Sequence, residues 1–378
     1  MTIKRWEELL MSSIWGNKLK LSIFGESHGE AIGIVINNLP AGIELNQAYI
    51  DKQILRRVPG KSKLSTARKE SDLYHIVSGF FNGKTTGSPL CAIIYNEDKR
   101  SNDYELLKDN MRPGHSDYPA FKKYSGFNDY RGGGHFSGRI TAPLLFAGAV
   151  AMQILEKYKN IYVGSRIKSI YNVEDNSNLG EDITADILLN LRSMEFPVIS
   201  KEKGTLMKSE ILKAKEENDS VGGIIETYLI NLPTGLGEPF FDSVESQLSH
   251  MIFSIPSVKG IEFGEGFDIA KMRGSSSNDP YQIKEEKITT VSNNNGGILG
   301  GITNGMPIIF RTAIKPTPSI FLTQNTVNVA TMENTEIKMD GRHDPCIVTR
   351  ALPVIEGAAS LVILDLILER EGEVWRTN

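Results

Sequence analysis

Apolar positions along this chain recur in two periods, and the places where one gives way to the other predict its elements. Alternating or continuous runs rich in β-branched residues predict strands over 19–24, 33–37, 73–80, 90–95, 161–170, 224–231, 258–263 and 307–313. Spacing of three to four residues predicts helices over 47–57, 143–158, 183–194, 208–218, 243–253 and 353–369. Pro143 and Pro353 read as first-turn prolines, where the missing N–H is no loss. Residues 142–155 form the longest mostly apolar run, which is too short to span a bilayer and suits a buried helix, so no membrane anchor is expected. Strands follow strands too often for a regular βαβ series, and an α+β fold is expected. The polar stretch 174–181 reads as a surface loop and the charged stretch 208–219 as a solvated helix. Residues 1–14 read as an N-terminal extension and 371–378 as a tail, flanking a single domain over 15–370.

Two patterns occur twice in the same order. Asn38-Leu39-Pro40-Ala41-Gly42-Ile43 returns as Asn231-Leu232-Pro233-Thr234-Gly235-Leu236, each after a β-branched run and before a helix-like segment. Gly83-x-Thr85-x-Gly87-x-Pro89-Leu90 returns as Gly301-x-Thr303-x-Gly305-x-Pro307-Ile308, each leading into an apolar strand. We read an internal duplication, with pseudo-repeats about 19–155 and 213–370; its period is far too long for a solenoid array.

Composition sharpens this. With 42 Lys and Arg against 46 Asp and Glu, the net charge is −4, which excludes a wholly basic surface. Yet Arg56, Arg57, Lys61, Lys63, Arg68 and Lys69 fall together without one acidic residue among 56–69. Such a segment focuses potential and suits a small polyanion, whose oxygens take charge-assisted hydrogen bonds. Nucleic acid is the rival partner, but residues 54–72 hold no aromatic residue for base stacking. Cys91 and Cys346 are far apart and form no metal or redox spacing, so a reducing, cytoplasmic setting and no metal site are expected.

Of six histidines, four lie in glycine- or proline-containing loops: His28, His115, His135 and His343. Imidazole is the natural proton donor near neutral pH, and glycine loops let backbone approach a ligand. Arg112, Arg131, Arg139 and Arg342 share those loops, whereas His75 and His250 lie within periodic segments and read as structural. Lys315-Pro316-Thr317-Pro318-Ser319 closes a strand with a lysine and two hydroxyls, a reasonable phosphate cradle. No Gly-x-Ser-x-Gly elbow, P-loop or His-Glu-x-x-His helix occurs.

From about Trp15 onward the chain resembles the chorismate synthase family. The resemblance rests on Phe24-Gly25-Glu26-Ser27-His28-Gly29, Arg112-Pro113-Gly114-His115-Ser116-Asp117-Tyr118, Arg131-Gly132-Gly133-Gly134, Gly237-Glu238-Pro239, Val258-Lys259-Gly260, Gly296-Gly297-Ile298-Leu299-Gly300-Gly301, Lys315-Pro316-Thr317 and Gly341-Arg342-His343-Asp344-Pro345-Cys346. It implies a β-α-β sandwich, helices packed between two antiparallel sheets with pseudo-two-fold duplication, assembled as a homotetramer. It implies a lyase that converts 5-enolpyruvylshikimate 3-phosphate to chorismate by anti 1,4-elimination of phosphate, needing reduced FMN without net redox change. NADPH, or a separate flavin reductase, would then reduce the flavin.

By the same resemblance, His28 and His115 are expected to donate protons to the leaving phosphate and to the reduced flavin. Asp344 would help the flavin accept the substrate proton, with Ser27 and Ser137 as relaying hydroxyls. Arg57 and Lys63 fall on nicotinamide or substrate positions; Arg56, Arg112, Arg139 and Arg342 look like further anion contacts. FMN positions would be His135, Phe136, Ser137, Pro256, Ser257, Gly300, Lys315, Pro316, Thr317, Pro318, Ser319 and Arg342. The chain departs from many members, which have arginine at the positions of Val58, Lys63 and His135 and alanine at that of Gly138. Lysine keeps the charge of arginine but not its bidentate fork.

Overall fold

The computed structural model describes residues 13–60, 64, 71–97, 106–179, 183–339 and 343–371. One five-stranded antiparallel sheet comprises β1 (Ile14–Trp15), β2 (Lys20–Gly25), β3 (Ala31–Asn37), β4 (Tyr74–Ser78) and β5 (Leu90–Tyr95), in the order β1-β2-β3-β5-β4. The second comprises β6 (Tyr162–Ile170), β7 (Val173–Glu174), β8 (Gly223–Ile230), β9 (Val258–Phe263) and β10 (Ile308–Ile314), in the order β9-β10-β8-β6-β7. The main helices are α1 (Gln47–Arg57), α2 (Asp117–Lys123), α3 (Thr141–Ile154), α4 (Ala185–Ser193), α5 (Lys201–Glu216), α6 (Val244–Phe253) and α7 (Val348–Glu371).

The burial of α3 and α7 explains the architecture. Every residue of α3 is buried, and α7 is buried from Leu352 to Leu368, so neither has a polar face to turn to water. α3 lies against β3 and β5, α7 against β6 and β8, and the two helices pack on each other. The continuous helical stretch Gly138–Lys159 that contains α3, and α7 itself, are long and apolar enough to cross a membrane by length and composition, but 94% and 100% of their most apolar stretches are buried inside the protein. They cross at Gly148 and Gly357, where a Cβ on Gly148 would stand 2.4 Å from the Gly357 Cα. One core therefore joins Ile34, Ile36 and Leu90 of the first sheet, Phe146 and Ile355 of the helices, and Ile167, Ile225 and Phe310 of the second sheet. This is the α+β sandwich expected from the sequence.

The duplicated sequence patterns form duplicated structures. Starting from β2, the first sheet runs β2-β3-β5-β4; starting from β6, the second runs β6-β8-β10-β9. Thr85 Oγ1 accepts from Ile43 N at 2.9 Å and donates to the Pro40 carbonyl at 2.6 Å, while Thr303 Oγ1 accepts from Leu236 N at 2.9 Å and donates to the Pro233 carbonyl at 2.7 Å. Asn38 and Asn231 both sit at φ 64°, a left-handed conformation that asparagine tolerates.

Strands 90–95 and 258–263 and helix 47–57 fall where the apolar pattern puts them. Five readings need correction. α5 starts at Lys201, because Ser200 Oγ accepts from Lys203 N at 3.2 Å as an N-cap. It is not wholly solvated: Gly204, Met207, Ile211 and Ala214 form a buried stripe that the surrounding charges obscure. Pro353 is the sixth residue of α7, not a first-turn proline; burial of the flanking Leu352 and Val354 outweighs the lost hydrogen bond. Within the presumed surface loop, Asp175 is fully buried and accepts from the backbone N–H groups of Ser177, Ile199 and Ser200. Ile14, inside the expected extension, already pairs with Ser22 of the first sheet.

Candidate active site

The turn Arg131–Phe136 carries three successive glycines at φ 58°, 82° and 55°. An L-residue there is strained, and each glycine also meets another group at close range. A Cβ on Gly132 would lie 2.2 Å from His28 Nδ1 and 3.0 Å from Ser27 Oγ; one on Gly133 would lie 2.7 Å from His115 Cε1 and 2.9 Å from its Nε2. The imidazoles of His28 and His115, 87 residues apart in sequence, therefore rest on neighbouring glycines of one turn.

The loop between β2 and β3 is fixed onto that turn. Ser27 N donates to the Gly134 carbonyl at 3.1 Å, and His135 Nδ1 lies 2.8 Å from the Gly25 carbonyl. A carbonyl only accepts, so Nδ1 of His135 carries a hydrogen, and its Nε2 lies 3.0 Å from Ser13 Oγ. Asn96, just past β5, donates to the carbonyls of Glu26 and Gly29, both at 3.0 Å, and accepts from Arg139 Nε at 3.1 Å.

His115 sits in a charged lattice. Its Nδ1 lies 2.7 Å from Asp117 Oδ1, and Arg112 donates to both oxygens of Asp117 from Nε at 2.7 Å and Nη2 at 2.9 Å. Burial would raise the Asp117 carboxyl, but the hydrogen bonds from Arg112 and His115 outweigh it and hold the group well below the usual carboxylate range. Burial lowers His115, and Arg112 and Lys315 add to that, against the opposing pull of Asp117. Arg112 Nη1 reaches Ser319 Oγ at 3.4 Å, Lys315 Nζ donates to the Gly114 carbonyl, and Lys315 N donates to the Ser257 carbonyl at 2.9 Å. The segment Lys315 to Ser319 thereby joins the His115 loop. Burial, followed by the nearby Lys259, lowers the Lys315 ammonium.

A third group of contacts brings in Asp344. Arg350 of α7 pairs with Asp344 and donates from Nε to the Arg57 carbonyl at 3.0 Å. The Arg57 guanidinium binds Asp72 at 2.5 Å, Thr141 Oγ1 at 2.9 Å and the Gly138 carbonyl at 2.8 Å, and Arg139 pairs with the other Asp72 oxygen. Burial works to raise Asp72, but Arg57 and Arg139 prevail and lower it. Bonded contacts thus run from the His28 loop through Asn96, Arg139, Asp72, Arg57 and Arg350 to Asp344.

Ser137 Oγ accepts from Arg139 N at 3.3 Å, and Phe136 faces the Tyr124 ring at 6.1 Å. Arg56 turns away from this cluster to Glu356 of α7 at 2.5 Å. Pro256 directly precedes Ser257, whereas Gly300 sits at φ 60° with open space where a Cβ would be, beside Gly301, which packs on Ser243. Lys63 and Arg342 lie outside the described residues. Among the described residues no group of three or more His, Cys, Asp or Glu is arranged to hold a metal ion. A cavity of about 420 Å³ opens elsewhere, lined by Asn46, Tyr49, Gln153 and Glu156; those polar groups already bond one another.

Sequence reasoning missed Asp72, Asn96, Asp117 and Arg350. Asp117 stood in a quoted motif two residues from His115, a readable signal, whereas nothing local distinguishes Asp72 or Asn96 from surface residues. What results is two imidazoles, a carboxylate and several guanidinium groups held together by a glycine turn, able to bind a multiply anionic ligand and to move protons on it.

Comparison with known proteins agrees with this chemistry. The family model described as chorismate synthase matches residues 19–368. The chain is 48% identical to the chorismate synthase of Pyrococcus abyssi over 362 residues, covering 95% of this chain and 98% of the relative. It is 45% identical to that of Dehalococcoides mccartyi over 372 residues, covering 97% and 99%. A solved structure titled "Crystal Structure of Chorismate Synthase" superposes with a TM-score of 0.74 at 28% identity, covering 95% of this chain and 94% of the other.

Proposed function

The chain belongs to the chorismate synthase family and is a lyase-type enzyme, and from that premise we propose that it eliminates phosphate from 5-enolpyruvylshikimate 3-phosphate to give chorismate. The observation that carries the reading is the placement of His28 and His115 on adjacent glycines of one turn, with Arg112 and Lys315 beside them. The substrate bears a phosphate and two carboxylates on a small ring, which such a cationic, glycine-walled site suits. Charge grows on the phosphate as its bond to carbon breaks, so donors aimed there stabilise the transition state more than the ground state.

In this proposal His28 donates a proton toward the departing phosphate, His115 supplies the second proton-bearing imidazole, and Asp344, oriented by Arg350, assists removal of the ring proton. Ser27 and Ser137 relay protons beside them. Arg57, Arg139 and Asp72 brace the wall against which the substrate binds.

The residues present fit reduced FMN. The buried hydroxyls Ser27 Oγ and Thr317 Oγ1 have no hydrogen-bond partner within the described protein, and the Lys315 ammonium donates to the Gly114 carbonyl in the cluster that holds Arg112 and Ser319. His135 to Ser137, Pro256, Ser257, Gly300, Lys315 to Ser319 and Arg342 would hold it. When bound, reduced FMN supplies an electron-rich ring that promotes loss of phosphate and is restored at each turnover. NADPH or a separate reductase as the source of its electrons, a homotetrameric assembly and a cytoplasmic location belong to the same proposal.

Anaerobic incubation of the chain with reduced FMN and the phosphate ester tests it. Prompt release of inorganic phosphate together with chorismate is expected. No release, with binding of nucleic acid that weakens steeply as salt rises, would make the protein a polyanion binder instead.

A further inference from the structure

The proposed chemistry asks His115 to present one particular nitrogen to the site, and the fold must decide which. We propose that Asp117 is the positioning residue that sets the tautomer and orientation of His115, with Arg112 clamping Asp117 for that task. This rests on the functional reading above.

Three groups approach His115 Nδ1: Asp117 Oδ1 at 2.7 Å, Arg112 Nη2 at 3.2 Å and Ser116 Oγ at 3.3 Å. An ionised carboxylate only accepts, and a guanidinium only donates. Arg112 Nη2 already donates to Asp117 Oδ1 at 2.9 Å, so the shortest contact at Nδ1 is an N–H directed at the carboxylate. The hydrogen of the neutral ring is then on Nδ1, and Nε2 is the atom that gains and loses a proton. The Cε1–Nε2 edge is the one that lies over Gly133, next to the glycine beneath His28. The exchangeable position thus faces the shared turn and not the protein interior.

Asp117 itself has little freedom. Its Oδ2 accepts from Arg112 N at 3.1 Å and Arg112 Nε at 2.7 Å, and the residue is 7% exposed. Two consecutive steps, guanidinium to carboxylate and carboxylate to imidazole, hold the ring in one orientation. The charged groups acting on His115 are Asp117, which favours the imidazolium, and Arg112 and Lys315, which oppose it along with burial. Neutralising Asp117 leaves only the opposing influences, so the protonated ring should then persist only at lower pH. A carboxylate serving merely to neutralise Arg112 would have no such effect on the imidazole.

Asp117→Asn and Asp117→Glu in the full chain test this, with histidine labelled by ¹⁵N and the His115 signal assigned through its loss in His115→Gln. The Nδ1–H tautomer is expected in the wild-type protein, and a shift toward Nε2–H in Asp117→Asn, whose side-chain amide can itself donate. With reduced FMN and the phosphate ester, kcat of Asp117→Asn should fall about 100-fold or more. KM should change only a few-fold, and the alkaline limb of the rate profile should move to lower pH; Asp117→Glu should recover part of the rate. The proposal is overturned by an Nε2–H tautomer in the wild type, or by an asparagine variant with wild-type kcat and pH profile. Should that variant not fold, the wild-type tautomer decides. A wild-type chain with the Nδ1–H tautomer that releases no phosphate upholds the placement of His115 and overturns the functional reading alone.

Discussion

At the scale of single residues, two glycines in this site differ sharply. Gly132 sits at φ 58° with a Cβ position 2.2 Å from His28 Nδ1, whereas Gly138 lies outside the left-handed region and a Cβ there meets nothing within 4 Å. Gly132→Ala should strain the turn by about 1–2 kcal/mol and displace the imidazole. A displacement near 1 Å should slow phosphate release by roughly 100-fold. Gly138→Ala should leave the rate unchanged and hold or raise stability, by up to about 1 kcal/mol, through the less flexible unfolded chain. Thermal melts and phosphate-release rates on the two variants check both, and a harmless Gly132→Ala would remove the turn from its role. His28, His115, the glycine turn and Asp344 were legible because their chemistry or conformation is written into local motifs. Asp72 and Asn96 were not, since their importance comes from partners distant in sequence, such as Arg139 for both.

Helices and strands were legible wherever burial imposed a clean period. β5 alternates buried and partly exposed positions, and α1 buries Ile50, Gln53, Ile54 and Arg57 at helical spacing below an Asn46 cap. α5 was mislocated because eight charged side chains among its 16 residues hide a narrow buried stripe. The duplicated turns were the most informative element-level signal, and their hydrogen bonds make the repeat testable. Thr85 and Thr303 each bridge two backbone groups of a preceding turn, in nearly equal geometry and with no shared partner. Replacing either hydroxyl by a methyl, in Thr85→Val or Thr303→Val, leaves a buried N–H unsatisfied and should cost about 1–3 kcal/mol. The two costs should be similar and, in the double variant, should add to within about 0.5 kcal/mol. Denaturant unfolding measures all three; one large and one negligible cost would show that the turns only look alike.

For the molecule as a whole, Asp72 lies one step behind a contact between the two halves. Its carboxylate, fully buried, pairs with Arg57 at the end of α1 and with Arg139 ahead of α3, and Arg57 in turn receives Arg350 from α7. Removing the charge in Asp72→Asn leaves two guanidinium groups sharing a neutral amide in a dry interior, and breaking such a pair typically costs about 3–5 kcal/mol. The pH dependence has a definite sign. Asp72 and Asp117 are both lowered in the folded state, so their contribution is complete above the unfolded carboxyl value, about 3.9, and is lost as pH falls toward their folded values. Wild-type melting temperature should therefore hold steady from neutrality to about pH 5 and then drop. In Asp72→Asn the neutral-pH melting temperature should be lower and the acid drop shallower, because one of the two groups no longer titrates. His28, on the far side of Asn96 and Arg139, should lose its fixed place as well, so phosphate release should weaken beyond what reduced stability explains at temperatures where the variant remains folded. An acid profile of the same steepness in both proteins would mean that other carboxylates govern it and that Asp72 does not carry the acid sensitivity.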